Sequence, residues 1–231
     1  MKNRLYFHIY SCGDLTNAIV SEMLSRIETS GLAENCDCLN FCISGDKKLL
    51  DVALPKRSKV HINKNDYEFD TIHLLWEDCQ KEDMNVCYIH TKGVSWKGWV
   101  AVEDWRKYMS HFVIDRWKDR INNLKEYDCT GVNLHGTHEN YKTPPETWGP
   151  SGIFGAPLHY SGNFWWSKSS HIRKIGDINK WHLFDGNHQK WKMLCEMWLC
   201  QPENSKYHCA WTTDLNHYKN RYTEDKYMER K

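Results

Sequence analysis

The sequence has almost no net charge and no long apolar segment, and each absence argues against a class of protein. Its 231 residues include 31 Lys and Arg against 30 Asp and Glu, so the formal net charge is +1. Dedicated nucleic-acid binders usually carry a clear basic excess, so we expect no nucleic-acid partner. No stretch approaches the ~18 consecutive apolar residues that a transmembrane helix needs, so we expect no membrane span.

Several motifs of known chemistry are also missing. The sequence contains no P-loop and no GxGxxG fingerprint, and it has neither a GxSxG elbow nor an HExxH pair. The opening residues 1–10 lack the small-residue cleavage site of a signal peptide and are typical of a first strand. Without a secretion signal, we expect the ten cysteines to be reduced and the chain to be cytoplasmic.

Tryptophan, by contrast, is abundant, with 12 residues. Trp96 lies beside Ser and Lys in a loop-like segment rather than in an apolar run. Rigid aromatic surfaces near loops suit flat ligands or sugars, so Trp96 is a candidate for sugar contact. Core packing is the simpler explanation for Trp76, Trp117 and Trp198.

Strands and helices are predicted to alternate through the first 135 residues. The hydrophobic pattern predicts strands at 5–11, 36–43, 59–62, 86–90, 127–134 and 158–166, and helices at 15–30, 69–80, 103–124 and 188–199. This alternation predicts an α/β fold with a mostly parallel central sheet flanked by helices. We expect one domain over 1–217 and a polar C-terminal tail over 218–231 that frays. The irregular stretch 136–157 predicts a functional or mobile loop.

In a parallel sheet, ligands bind at the carboxyl ends of the strands, so the loops there carry the candidate chemistry. His90-Thr91-Lys92-Gly93 directly follows a predicted strand and combines a cation, a hydroxyl and a glycine. Such a loop can cradle a phosphate, although an ordinary turn lysine and a satisfied histidine are the alternative. Arg106, one turn into the long predicted helix, could reach the same phosphate or form a structural ion pair.

Two further sites carry residues that are unusual for the predicted element in which they lie. Ser161, Gly162 and Asn163 occupy the middle of a predicted strand, where strand propensity disfavours them. This pattern favours the close approach of a ligand, with a β-bulge as the alternative. Glu196 lies between apolar residues of a predicted helix, where it is either a candidate general base or part of a solvated face.

Taken in order, these segments resemble a group of small glycosyltransferase-like proteins of the GT-A (nucleotide-diphospho-sugar transferase) fold, found in bacteria and large DNA viruses. The resemblance covers residues from about 4 to 200. The residues that carry it are Phe7-His8-Ile9-Tyr10, Ser30-Gly31-Leu32, Tyr88-Ile89-His90-Thr91-Lys92-Gly93-Val94-Ser95, Asp104-Trp105-Arg106 with Met109, Gly131-Val132-Asn133, His159-Tyr160-Ser161-Gly162-Asn163-Phe164-Trp165-Trp166 and Glu196-Met197-Trp198.

The resemblance implies a GT-A-like domain that transfers a sugar from a nucleotide-diphosphate sugar to a hydroxyl of a glycan or glycoconjugate. A viral origin would place this activity in the host cytoplasm. The donor and its phosphates would be bound by His8, Tyr10, Ser11, His90, Thr91, Lys92, Gly93 and Arg106. The sugar and acceptor would be bound by Trp96, Asn133, Ser161, Gly162, Asn163 and Trp165. Glu196 resembles the residue that deprotonates the acceptor in inverting enzymes.

The metal expected of this family is where the sequence departs from the pattern. GT-A enzymes normally bind Mn²⁺ or Mg²⁺ through an Asp-x-Asp motif at a strand end, and the ion neutralises the leaving diphosphate. Here that strand ends in His90-Thr91-Lys92. Either Lys92 replaces the metal as counter-charge, or His90 joins a metal site with a distant residue such as His159.

Two other functions compete with the transferase. A non-catalytic carbohydrate-binding or assembly module could have the same fold, because fold does not imply function. A nucleotidyltransferase would need a Gly-rich basic loop near the N-terminus, and Ser11-Cys12-Gly13-Asp14 does not provide one.

Overall fold

A seven-stranded sheet lies at the centre of the computed structural model, which describes residues 1–64, 67–143, 155–181 and 193–228. The described residues form nine strands, of which seven belong to this sheet. They are β1 (Lys2–Ser11), β2 (Cys38–Gly45), β3 (Ser58–Ile62), β4 (Met84–His90), β5 (Cys129–Gly131), β6 (Leu134–His135), β7 (His159–Tyr160), β8 (Trp165–Lys168) and β9 (Tyr207–Cys209). The order across the sheet is β3-β2-β1-β4-β8-β5-β9, while β6 and β7 form a separate antiparallel pair. Neighbouring strands of the sheet are parallel except at β8, which runs antiparallel to β4 and β5.

Helices cover both faces of this sheet. They are α1 (Leu15–Thr29), α2 (Leu32–Asn35), α3 (Phe69–Lys81), α4 (Val100–Ser110), α5 (Trp117–Asn123), α6 (Ser169–Ile172) and α7 (Leu194–Met197). Side chains alternate across the sheet, so Phe7 of β1 packs in the core layer of α1, α4 and α5, whereas Tyr6 packs in the layer of α3 and α7. The α/β class and the mostly parallel sheet flanked by helices are therefore confirmed.

The direction of the connections changes between β1 and β4. From β1 the chain passes through α1 to β2 on one side, whereas from β4 it passes through α4 and α5 towards β5 on the other. A crevice forms at the carboxyl ends of two strands where the connections diverge in this way. The residues at the ends of β1 and β4 therefore line the natural ligand crevice of this sheet.

Three predicted elements are interrupted in the structure. The helix predicted at 103–124 starts earlier, as α4, and a π-helical turn at His111–Asp115 separates it from α5. The strand predicted at 127–134 divides into β5 and β6, because Asn133 adopts a φ of 51° that a strand cannot accommodate. The strand predicted at 158–166 divides into β7 and β8 for the same reason, with φ of 91° at Gly162 and 58° at Asn163.

Two other predicted segments, a helix and a loop, lie partly outside the described residues. Of the helix predicted at 188–199, the structure describes 193–199, with α7 followed by a 3₁₀ turn, and residues 188–192 lie outside the description. Of the loop predicted at 136–157, residues 144–154 lie outside it, and Thr137 forms a bridge with Pro157 at the ends.

The C-terminal segment packs against the domain over residues 218–228, so the expectation that it frays is wrong there. Tyr227 is only 5% exposed and its ring contacts Tyr108 and Phe112. Arg221 donates to the buried carboxylate of Asp104 through Nη2 at 3.1 Å. Local polarity predicted a tail, but aromatic and ionic contacts distant in sequence hold the segment in place.

None of the helices in the described parts of the chain combines the length and the apolar character needed to cross a bilayer. All ten cysteines lie in those parts and have free thiols, with Cys12 alone classed as exposed.

Candidate functional site

Hydrogen bonds between neighbouring strand ends hold the crevice at the ends of β1 and β4 in shape. His8 and His90 are register partners on the two strands. The Thr91 hydroxyl accepts a hydrogen bond from the Tyr10 N–H at 3.0 Å, and the Thr91 N–H donates to the His8 carbonyl at 3.1 Å. Ser11 donates its hydroxyl to the Asp46 carbonyl at 2.7 Å. The two Thr91 contacts hold the ends of β1 and β4 side by side, and the Ser11 contact ties the end of β1 to the chain just after β2.

A cleft of about 370 Å³ opens beside these strand ends. Tyr10 and the turn 12–15 line one side of it, and residues 94, 95 and 97 of the loop after β4 line the other. The sequence predicts a donor pocket lined by residues 8–13 and 90–93. Tyr10, Cys12 and Gly13 of the first range line this cleft, and the lining contains no residue of the second. The hydroxyl groups of Thr91 and Ser11 are already hydrogen-bonded in the contacts described above. The polar lining of the cleft is therefore formed by other backbone groups and side chains of the two loops.

Lys92 is almost buried, with 9% of its surface exposed, and lies among charged and aromatic groups. Its Nζ lies 4.1 Å from the centre of the Trp105 ring and 5.5 Å from that of Tyr218. The carboxylate of Glu196 is 3.8 Å away. Burial alone would lower the pKa of the Lys92 ammonium, but Tyr218 and Glu196 outweigh it and raise that pKa. Lys92 is therefore a cation at neutral pH.

Glu196 is held in place by one backbone donor. Its Oε2 accepts a hydrogen bond from the Gly162 N–H at 3.1 Å, while Oε1 faces Lys92. The side chain remains 24% exposed. The structure thus brings together Lys92, Glu196 and the 161–163 segment, which are more than 30 residues apart from one another in the chain.

Gly162 connects this ion pair to His90. The Gly162 carbonyl accepts a hydrogen bond from His90 Nε2 at 2.9 Å, while its N–H donates to Glu196. A Cβ on residue 162 would collide with Met109 Sδ, and the φ of 91° also favours glycine. The glycine is required because the turn passes tightly over α4 with both of its peptide groups in use.

A second carboxylate, Glu68, lies 4.0 Å from His90 with 18% of its side chain exposed, and no pattern in the sequence singled it out. Glu68 Oε2 accepts hydrogen bonds from Tyr88 Oη at 2.6 Å and from Asn163 Nδ2 at 2.7 Å. Burial would raise the pKa of this carboxyl, but attraction to His90 and His8 and the two hydrogen bonds outweigh it and lower that pKa. Glu68 immediately precedes α3, where an acidic residue needs no other explanation than the helix dipole.

His8 lies inside the same polar layer. Its Nδ1 is 2.9 Å from Thr71 Oγ1 and its Nε2 is 3.4 Å from Ser44 Oγ. Burial lowers the pKa of His8 to about 4, so its imidazole is neutral at pH 7. With only 3% of its surface exposed, His8 supports the floor of the crevice.

Two residues predicted to bind the donor phosphate, Arg106 of α4 and Gly93 of the loop after β4, have structural roles instead. Arg106 donates to Glu22 Oε2 at 2.8 Å and to the Lys92 carbonyl at 3.1 Å, so it ties α4 to α1 and to the loop after β4. Gly93 has a φ of 89°, and a Cβ there would lie 2.9 Å from Val102 Cγ1. Both residues therefore shape the loop that carries Lys92.

The predicted sugar-contacting residues are divided between the interior and the surface. Trp165 is buried and donates its indole N–H to Asn163 Oδ1 at 2.7 Å. Asn133 is also buried and accepts from Tyr108 Oη at 3.1 Å. Trp96 is 39% exposed and packs edge-on against Trp99. Of this group, Trp96 and Ser161 are the ones with accessible surface.

The described residues do not assemble a ligand set for Mn²⁺ or Mg²⁺. They contain no group of three or more His, Cys, Asp or Glu side chains in an arrangement that could hold an ion. His90 uses Nε2 on the Gly162 carbonyl, and the buried His159 has Nδ1 2.8 Å from the Pro157 carbonyl. Burial lowers the pKa of His159.

No protein-family model matches this chain, and no curated protein matches it significantly.

Proposed function

We propose that this protein is a glycosyltransferase that transfers a sugar from a nucleotide-diphosphate sugar to an acceptor hydroxyl of a glycan or glycoconjugate. One observation carries the proposal. A buried lysine and a partly exposed glutamate face each other at 3.8 Å, at the end of β4 and next to the point where the strand connections diverge. The mostly parallel sheet flanked by helices supports a GT-A-like fold, which the resemblance implies.

The proposed chemistry uses the two members of this pair in turn. The donor diphosphate takes Lys92 as its counter-charge, since an ammonium binds phosphate oxygens by charge-assisted hydrogen bonds. Glu196 Oε1 is then free to accept the proton of the acceptor hydroxyl. The acceptor oxygen forms the new bond to the anomeric carbon, and the bond to the diphosphate breaks with its electron pair leaving on the nucleoside diphosphate.

The Gly162 N–H has a positioning role in this scheme. It holds Glu196 Oε2 at 3.1 Å, so the carboxylate keeps its orientation when Lys92 moves to the phosphate. His90 fixes the other side of the same glycine through its carbonyl. The carboxylate is thereby preorganised by the backbone, which reduces the reorganisation needed before proton transfer.

The first experiment screens a panel of nucleotide sugars for thermal stabilisation and for release of nucleoside diphosphate, with and without Mn²⁺. A transferase should be stabilised by one donor and release its diphosphate in the presence of an acceptor. Full activity in the presence of a chelator would support Lys92 as the counter-charge, whereas complete loss would favour a metal. Stabilisation without release by any acceptor would favour the carbohydrate-binding module.

The second experiment tests Glu196 directly. Glu196→Gln keeps an oxygen for the Gly162 N–H but removes the basicity, so turnover should fall by about 10²–10⁴-fold with donor affinity nearly unchanged. Glu34→Gln, at an exposed position, is the matched control and should be silent. Normal turnover in Glu196→Gln would exclude the proposed base.

A further inference from the structure

Positive charge is concentrated at the outer edge of the sheet, around β3. Residues 45–64 contain six Lys and Arg against two Asp, so their formal charge is +4, whereas the rest of the chain has a formal charge of −3. All six cations are exposed, and we call the surface that they form the basic edge. They are Lys47, Lys48, Lys56, Arg57, Lys59 and Lys64.

The cations of the basic edge are not neutralised by neighbouring carboxylates. None of the six forms an ion pair with a residue in the described parts of the chain. Asp46 Oδ1 accepts from the backbone N–H of Lys48 at 3.0 Å, and Asp70 Oδ2 accepts from that of Lys64 at 2.6 Å. These carboxylates therefore bind the backbone and leave the side-chain cations available to an external anion.

The register of the sheet spreads these cations along one side of the molecule. In the sheet of the described residues, β3 is the outermost strand. Residues 56–57 directly precede it and Lys64 follows it, so the two groups lie about 17 Å apart along the strand. Residues 47–48 follow β2, which runs parallel to β3 with Ile43 opposite Ile62, so they lie towards the Lys64 end. The cations therefore face a broad surface and do not converge on one point.

Exposed aliphatic side chains lie among these cations. Val60 and Ile62 of β3 are 52% and 54% exposed, and Leu49, in the 3₁₀ turn after β2, is 43% exposed. Val60 and Ile62 are register partners of Phe41 and Ile43, which belong to the core layer of α1. Register partners point to the same side of a sheet, so this apolar layer continues outwards and emerges at the edge. The basic edge thus combines unpaired cations with apolar surface.

This combination favours a lipid bilayer over other anionic partners. Anionic headgroups attract clusters of Lys and Arg, and the boundary between headgroups and acyl chains takes up aliphatic side chains. A soluble polyanion would use the cations but would gain little from exposed valine and isoleucine. A second copy of the same edge is disfavoured because like charges would face each other, and Lys59 on an edge strand opposes strand pairing.

We propose that the basic edge is a docking surface for a lipid bilayer with anionic headgroups. The cations bind headgroup oxygens, and Leu49, Val60 and Ile62 enter the boundary between headgroups and acyl chains. A bilayer presents anionic groups over its whole surface, so cations spread along a strand are all engaged at once. The docking is peripheral and reversible, and the assignment does not depend on the transferase proposal.

The test measures sedimentation of the full chain with phosphatidylcholine vesicles, with and without phosphatidylserine. Binding should require phosphatidylserine and should weaken as the salt concentration rises. Each cation near an anionic surface contributes about fivefold to the affinity, so removing three should weaken binding by about 100-fold. The variant combines Lys56→Gln, Arg57→Gln and Lys59→Gln.

A matched control removes three exposed cations elsewhere and should bind within about threefold of the wild type. It combines Lys125→Gln, Lys206→Gln and Lys219→Gln. Because the first variant changes a strand, Lys47→Gln with Lys48→Gln repeats the test in a turn and should weaken binding by about 25-fold. Circular dichroism verifies that each variant is folded.

A second pair of changes separates a bilayer from a soluble polyanion. Val60→Thr with Ile62→Thr keeps the charge and the β-branched side chains, and it should weaken vesicle binding by about tenfold. Binding of this variant to inorganic polyphosphate should equal that of the wild type. Normal vesicle binding by this variant would overturn the lipid assignment in favour of a soluble polyanion. Failure of the wild type to bind phosphatidylserine vesicles, or equal losses in the glutamine variant of β3 and its control, would overturn the proposal as a whole.

Discussion

Replacing Lys92 by methionine separates a binding role from a structural one. At 3.8 Å from Glu196, the ammonium has a gross attraction of about 4 kcal/mol at an effective dielectric constant of 20. Its position over Trp105 adds about 0.5–2 kcal/mol. Desolvation of both charges opposes these gains by several kcal/mol. Glu196 keeps its backbone donor and some solvent, so we expect Lys92→Met to lose only about 1–3 kcal/mol of unfolding free energy.

Binding of nucleoside diphosphate should respond more clearly than stability. The lost charge-assisted contact is worth about 1.5–3 kcal/mol, which raises the dissociation constant by about 10- to 150-fold. The double variant Lys92→Met with Glu196→Gln removes the orphaned carboxylate as well. It should recover about 1–2 kcal/mol of stability relative to the single variant, while the affinity stays low.

Calorimetric titration and urea unfolding of the same samples give both quantities. Lys125→Met, at an exposed position just after the end of α5, serves as the matched control and should change neither. A dissociation constant within about twofold of the wild type in Lys92→Met, once folding is verified, would refute the phosphate role. The pair would then be a structural ion pair.

Three further predictions concern residues around the crevice. Gly162→Ala should lose about 2–4 kcal/mol of unfolding free energy, because the added methyl meets Met109 and the φ is left-handed, and a urea midpoint unchanged from the wild type would contradict this. Arg106→Met should lower stability through the loss of Glu22 as a partner but leave donor affinity within about threefold, and a larger affinity loss in calorimetry would restore the predicted donor contact. Stability should fall as the pH drops from about 6.5 towards 4, by up to about 1.4 kcal/mol per pH unit for each buried neutral histidine, since the unfolded state binds the proton more readily. Urea unfolding at pH 7, 6 and 5 checks this slope, and a flat profile would contradict the lowered pKa values of about 4. The histidines concerned are His8, His171 and His217.

Much of the fold could be predicted from the chain because its signals are local. The α1 helix and the strands β1 and β4 appear within three residues of the predicted bounds, since their apolar periodicity directly reports which side chains are buried. The site residues Lys92 and Glu196 were also identified, by a strand-end position and by an acidic residue among apolar ones. Their roles as counter-charge and base stay predictions until the variants are measured.

The interruptions could not be predicted, because they depend on single backbone angles. Asn163 and Gly162 break one predicted strand in two, and the same polar residues would have been compatible with a bulge. The π-helical turn between α4 and α5 leaves the apolar periodicity almost unchanged. Periodicity reports the faces of an element but not the residue at which its hydrogen bonding changes.

The sequence by itself determined the alternation of strands and helices, the balance of charge and the loops in which chemistry could lie. Only the tertiary structure decided which side chains meet. It placed Glu196 beside Lys92, brought Glu68 behind His90, and packed Tyr218 of the supposed tail over Trp105. These contacts join residues far apart in the chain, and no local pattern encodes them. They follow from the packing of helices on the two faces of one twisted sheet, which is settled only when the whole core is assembled.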